Sequence, residues 1–290
     1  MMSERRATGR PVRVVTDSAA DIPPDIAHEL DITVIPLLVN MGGKTYRDGV
    51  DISGEEFYRR LEATRSVTTT SLPSLQAFVE PYRALTAQGY DVVSIHMSSK
   101  LSGTHNTALI ASTADGVPAE AITVVDSRTL SMAEGWIAIR AAQAAREGKS
   151  QEEVAAVAEA LVPRARLFGA LDTLEYVMRS GRVGRLPGMV GTVLNVKPIL
   201  TTRPDGEAAI VERVRTRRKA LEELVRLTSE LGPLDALAVM HGADEEGAVQ
   251  LVEMLRHLNP PEPVIMHHIG AVLGTHIGPR ALGVCCLTRA

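Results

Sequence analysis

The sequence predicts an α/β protein of two lobes, on three observations. Strand-length apolar runs alternate with helical stretches through the first half of the chain. The runs shorten after Pro163, and 290 residues exceed the size at which one core usually keeps growing. The opening runs are VRVVT (Val12 to Thr16) and ITVIPLLVN (Ile32 to Asn40), followed by VVSIHM (Val92 to Met97) and AITVVD (Ala121 to Asp126). Between them Gly54 to Glu62, Ser74 to Ala87, His105 to Ala114 and Leu130 to Arg146 carry apolar residues at helical spacing. Such alternation predicts a mainly parallel sheet with helices on both faces. QEEVAAVAEALV, after Ser150, reads as an amphipathic helix that Pro163 ends, so the expected lobes are 1–163 and 164–290. LFGAL, KPILTT, AIVERV, DALAVMH, PVIMHH and ALGVCCLT, with a helix over Glu245 to His257, make the second and smaller α/β lobe. Two compact lobes imply a cleft between them.

Composition narrows the function. Apolar residues at 45% and charged residues at 23% are those of an ordinary globular protein. A net charge of −4 and 3% aromatics supply neither the field nor the stacking platforms that nucleic acid requires. Cys285 and Cys286 are neighbours in a strand-like run and point to opposite faces, which argues against a disulfide and for a reducing cytoplasm. MMSERRATGRP is polar and basic, without the apolar stretch of an export signal, and no run approaches the roughly 18 apolar residues of a spanning helix. The expectation is a cytoplasmic protein with no transmembrane segment.

Four polar clusters follow strands or open helices, where doubly wound proteins place ligand groups. Thr16-Asp17-Ser18 ends the first strand, and its side chains suit a cap or turn as well as a ligand. Thr68-Thr69-Thr70-Ser71-Leu72-Pro73-Ser74 holds more hydroxyls than the one cap expected of Ser74. Ser98-Ser99-Lys100-Leu101-Ser102-Gly103-Thr104 lies between a strand and a helix, where outward backbone amides favour an anion. It lacks the spacings GxxxxGK[ST] and GxGxxG, so it is not a nucleotide loop. Near the C-terminus, His276 sits in the Gly-rich stretch Gly270 to Pro279; it suits either a structural role or a ligand contact. Met178 to Arg185 forms a basic loop containing Arg182, and Arg213 to Lys219 forms a basic patch. His267 and His268 alternate faces, and no cluster has metal-ligand spacing.

Taken in order, VTDSAADIP, TTTSLPS, SSKLSGT, VDS, SGRVG and HIGPRALG resemble the DegV family of bacterial fatty-acid-binding proteins, over about Val12 to Leu287. Any one of these pieces is weak, whereas the set in one order is specific. Arg280 and Lys100 depart from the pattern. The resemblance implies a two-domain DegV-like fold, an acyl chain in a tunnel and its carboxylate at the lobe junction. It carries the carboxylate contacts onto Thr69, Ser99 and His276, with Arg182 nearby and with Thr70, Ser98 and Ser102 as their neighbours. It further implies a carrier without cofactor or catalysis, which hands a long-chain fatty acid to the ATP-binding subunit of a fatty acid kinase that makes acyl phosphate. The patch from Arg213 to Lys219 suits either a solvated face or, within an acidic protein, a docking surface for that partner. Burying about 14 methylenes at roughly 0.8 kcal/mol each gives a gross 11 kcal/mol, so the chain would set affinity and the hydroxyls orientation.

Two other readings compete. Ser99 or Ser102 as nucleophile with His276 as base would make a serine acyl hydrolase, against which stands the lack of a GxSxG elbow. The Arg213 to Lys219 patch could serve a DNA-binding regulator, against which stand the acidic net charge and the scarcity of aromatics.

Overall fold

The computed structural model describes residues 9–64, 67–181 and 196–289. In chain order the first part comprises β1 (Val12–Asp17), α1 (Pro24–Glu29), β2 (Thr33–Ile35), β3 (Leu38–Met41), β4 (Lys44–Arg47), α2 (Gly54–Thr64), β5 (Thr69–Ser71), α3 (Gln76–Ala87), β6 (Asp91–His96), α4 (Thr104–Ser112), β7 (Ile122–Asp126), α5 (Met132–Arg146) and α6 (Gln151–Leu161). The second comprises β8 (Ala165–Ala170), α7 (Glu175–Ser180), β9 (Lys197–Thr202), β10 (Ala208–Val214), α8 (Arg217–Ser229), β11 (Leu234–His241), α9 (Glu245–Leu255), β12 (Ile265–His268), α10 (Ala271–Ile277) and β13 (Leu282–Thr288).

A four-stranded sheet in the order β2-β1-β6-β7 is wholly parallel, and a six-stranded mixed sheet runs β10-β9-β8-β13-β11-β12. The run ITVIPLLVN, expected to be one strand, divides at Pro36: β2 joins the parallel sheet, whereas β3 pairs with β4 and β5 in a separate antiparallel sheet. Proline has no N–H for a ladder, so the chain changes sheet there. The break carries β5, with its threonines, toward the second lobe. At Ser150 the predicted helix start is realised as a capping box, with Glu153 N–H donating to Ser150 Oγ (3.3 Å) and Ser150 N–H to Glu153 Oε2 (2.8 Å).

α5 packs against β1 of the first sheet and against β8 and β13 of the second. Buried almost all round, it needs no apolar stripe, and small residues such as Ala138, Ala141 and Ala142 let both sheets approach it. Trp136 Nε1 donates to Cys285 O (3.2 Å), fixing the helix against β13. One apolar cluster therefore runs from Val12 to Leu287 through both lobes. α10 packs on α2 through Gly274, where a Cβ would stand 2.7 Å from both Phe57 Cε1 and Tyr58 Oη. Gly274→Ala should cost about 1–3 kcal/mol of stability through this overlap, read as a lower urea midpoint.

Candidate functional site

The six-stranded sheet carries a transverse row of residues in register: Leu200 on β9 faces Gly169 on β8, Gly169 faces Gly283 on β13, and Gly283 faces Met240 on β11. All four line one cavity of about 1150 Å³, mouth included. Two adjacent glycines leave a trough across the strands, and at strand spacing the row is roughly 14 Å long. Val272 and Leu273 of α10 line the same cavity, as do Met97, Leu101 and Leu130 from the first lobe. The space thus lies between elements from both halves of the chain, opens to solvent at a mouth and is predominantly apolar.

Hydroxyls and one imidazole punctuate this wall. Thr70 Oγ1 lies 2.9 Å from His276 Nε2, joining β5 to α10, and both residues line the cavity. Ser102 also lines it; its Oγ lies 2.7 Å from Thr104 Oγ1 and accepts from Thr104 N–H (3.2 Å) at the start of α4. Thr70 and His276 are shared with an outer cleft that adds Thr69 and Arg179. Thr69 is exposed, and Arg179 pairs with Glu175.

Ser98 and Ser99 do not line the cavity. Ser98 is buried and donates to Gly206 O (2.7 Å), while Ser99 is exposed with its N–H toward Asp126 Oδ1 (3.3 Å). The serine loop turns its later hydroxyl, not its first two, toward the cavity. Arg182 lies outside the described residues. Ser74 acts as a cap, accepting from Ala77 N–H (3.3 Å).

His276 is held by the start of its own helix. Gly270 N–H donates to Asp21 Oδ1 (2.8 Å), Ala271 N–H to Asp48 Oδ1 (2.9 Å) and Val272 N–H to Asp48 Oδ2 (3.3 Å). Ser131 donates to Asp21 Oδ2 (2.6 Å) and Ser18 to Asp48 Oδ2 (3.0 Å). Two carboxyls from the first lobe thus satisfy the open amides of α10. Burial pushes Asp21 up to about 8 and Asp48 to about 6, against the opposing pull of these hydrogen bonds, and it also raises Glu134 well above the carboxylate range. Sequence reasoning assigned neither Asp21 nor Asp48, because a lone aspartate in a turn carries no sign of a distant helix.

A second polar chain is wholly interior. Tyr82 donates to Ser94 Oγ (2.7 Å), Ser94 Oγ lies 2.7 Å from His96 Nε2, and His96 Nδ1 lies 3.0 Å from Asp17 Oδ2. Asp17 also accepts from Ala19 N–H (3.0 Å) and Met97 N–H (3.2 Å), tying the ends of β1 and β6 together. Ser94, His96 and Asp17 have 0% exposure, so this composition of a nucleophilic triad is closed to any substrate. Among the described residues no group of three or more His, Cys, Asp or Glu is placed to hold a metal, and no helix is long and apolar enough to cross a membrane.

A family model described as "Uncharacterised protein, DegV family" matches residues 11–289. A DegV domain-containing protein of Caldanaerobacter subterraneus is 37% identical over 276 residues, covering 94% of this chain and 97% of its own. Two solved structures share the fold throughout. One, of a DegV family protein from Thermus thermophilus described by its fatty acid binding, has a TM-score of 0.85 at 32% identity and covers 96% of this chain and 100% of its own. The other, DegV of Bacillus subtilis, described as a fatty acid binding protein, has a TM-score of 0.86 at 33% identity with the same coverage.

Proposed function

This chain belongs to the DegV family, and on that premise we propose that it binds one long-chain fatty acid in the inter-lobe cavity and presents the carboxylate to a partner kinase. The observation that carries the reading is the cavity itself: an apolar trough made by Gly169 and Gly283, with hydroxyls and an imidazole in its wall. An acyl tail gains roughly 0.8 kcal/mol per buried methylene, which only a dry trough supplies. Thr70, Ser102 and His276 receive the carboxylate, and Arg179 stands in the outer cleft beyond them. Neutral donors contribute roughly 1–3 kcal/mol each to a charged acceptor, enough to orient the acid without the grip of a bidentate arginine. The carboxylate stays available to attack a phosphoryl group held by the partner.

The chain is a cytoplasmic carrier on this reading, and nucleotide chemistry belongs to the partner. The basic patch supports a docking role by position. Arg213, Arg215 and Lys219 are exposed, and Arg217 donates to Arg280 O (2.8 Å), four residues beyond His276. The patch thereby adjoins the turn that follows the site helix.

Denaturing extraction and mass spectrometry of protein purified from bacteria should recover long-chain fatty acid at about one per chain; a chain that yields none and takes up none would end the reading. Thr70→Ala with Ser102→Ala should lower phosphorylation of the bound acid by a larger factor than it lowers acyl retention, because the buried tail still holds the acid once its head is no longer oriented. Equal loss of both would place the carboxylate elsewhere. Turnover of a chromogenic ester that depends on Ser102 and His276 would instead favour a hydrolase.

A further inference from the structure

The cavity has a mouth, but a chain that lies along the trough enters it sideways where part of the wall moves aside, and the β9–β10 hairpin is the lightly held part of that wall. Leu200, Thr201, Thr202 and Ala208 line the cavity, so the hairpin is a section of that wall. Its attachment to the sheet is short. β8 pairs with β13 in register from Ala165 to Ala170, yet it pairs with β9 only at Gly169↔Leu200 and Ala170↔Ile199, supplemented by Leu171 N–H donating to Pro198 O (3.0 Å). Beyond Leu200 the ladder pairing with β8 ends, and the Thr201 hydroxyl, donating to Leu167 O (2.7 Å), stands in for a ladder bond. Among the described residues β10 is the edge strand of this sheet.

The free end of the hairpin reaches across to the other lobe. In its turn, Gly206 O accepts from Ser98 Oγ (2.7 Å), and Thr202 Oγ1 lies 3.2 Å from Thr129 Oγ1. Gly206 has φ +90°, and a Cβ there would overlap the Ser98 hydroxyl and stand 3.4 Å from Arg128 Cα, so only glycine allows this seat. Outside lies a second cleft, lined by Arg128, Thr129, Arg166, Thr202 and Arg203. Thr202 belongs to both cavities, so the Thr129–Thr202 contact is a partition between the trough and the solvent side. Among the described residues, two side-chain hydrogen bonds to the first half of the chain and one to β8 hold the hairpin beyond Leu200.

The geometry points to the β9–β10 hairpin as the entry for the long-chain acid, with Ser98 and Thr129 as the latch that holds it shut. The hairpin swings about Ile199 and Leu200, its tip leaves Ser98, and the trough opens along its β9 end. The inference rests on the reading of the cavity as an acyl site, and it explains why Ser98, the first hydroxyl of the serine loop, faces the hairpin instead of the cavity.

Exchange kinetics test it. Protein loaded with a fluorescent long-chain fatty acid is mixed with excess unlabelled oleate, and release is followed by stopped flow. Ser98→Ala should release the probe about fivefold faster, the worth of one hydrogen bond, with equilibrium capacity retained. Thr129→Cys/Thr202→Cys, once oxidised, should slow both uptake and release by more than about tenfold, with dithiothreitol restoring the parent rate. The parent chain, whose Cys285 and Cys286 are buried, passes through the same oxidation as control. Exchange at the parent rate in the oxidised variant overturns the gate; where the disulfide does not form, an unchanged rate in Ser98→Ala does so alone. A parent chain that binds no probe overturns the acyl site together with its gate.

Discussion

Gly169→Phe should abolish fatty acid binding while leaving the protein folded. Gly169 lies on β8 between Leu167 and Leu171, whose side chains share its face and line the same cavity. A Cβ built there meets nothing within 4 Å, so a phenyl ring has only the trough to occupy. Its neighbour across the ladder is Gly283, which offers no side chain to push it aside. The ring would displace several of the methylenes whose burial supplies about 0.8 kcal/mol each. Replacing a strand glycine also removes its extra chain entropy in the unfolded state, worth about 0.5–1 kcal/mol, so the ligand-free protein should be as stable as the parent or more so. Extraction followed by mass spectrometry should find less than about a tenth of the parent's acyl content, with a cooperative thermal transition at or above that of the ligand-free parent. A parent-like acyl content would mean that the tail runs elsewhere. Ala170→Phe makes the informative contrast: Ala170 points to the other side of the sheet, into the cluster with Phe168, Ile199 and Leu224, and should unfold the protein instead.

Asp48→Asn should destabilise the fold by about 2–4 kcal/mol, whereas Asp21→Asn should be tolerated near neutral pH. The difference lies in what each oxygen accepts. Asp48 takes Ala271 N–H on one oxygen and Val272 N–H with the Ser18 hydroxyl on the other, so an amide NH₂ in either place faces a backbone donor. Asp21 takes one backbone N–H on Oδ1 and only the Ser131 hydroxyl on Oδ2; a hydroxyl rotates to accept, so an asparagine reproduces the protonated acid. Burial raises both folded pKa values above the ~4 of an unfolded aspartate, so folding takes up protons. Their contribution to stability is complete below about pH 4, and it is lost as pH rises through about 6 for Asp48 and about 8 for Asp21. Glu134 is raised in the same direction and adds to the slope. Urea midpoints should therefore fall between pH 5 and pH 9, and Asp21→Asn should flatten the upper part of that fall. A midpoint that rises across the window would contradict the assignment. Because α10 carries His276, Asp48→Asn should also weaken the orientation of the acid even where enough protein remains folded to measure it.

Most of the local structure and the menu of polar groups were legible along the chain, although the run ITVIPLLVN divides at Pro36 into strands of two sheets. Period and punctuation placed the helix from Gln151, the buried strands VRVVT and VVSIHM, and the loops that bear hydroxyls, because those features depend on residues within a few positions of one another. The family order of motifs followed from the same short stretches. Which hydroxyl faces inward was another matter. Ser98, Ser99 and Ser102 share one loop, and Ser98 is taken up by Gly206, more than a hundred residues later, while Ser102 stands on the cavity wall. Asp21 reaches Gly270 across 249 positions, and no local pattern records such a bond.

The trough belongs wholly to the tertiary level. Gly169 in FGAL and Gly283 in ALGV are each ordinary strand glycines, and they become the floor of a binding site only because β13 returns antiparallel to β8 with those two residues opposite. One step of register would set them apart and fill the groove with side chains. Cavities arise from the meeting of distant surfaces, whose pairing is set by the packing of the whole core, whereas helices and strands arise from neighbours along the chain.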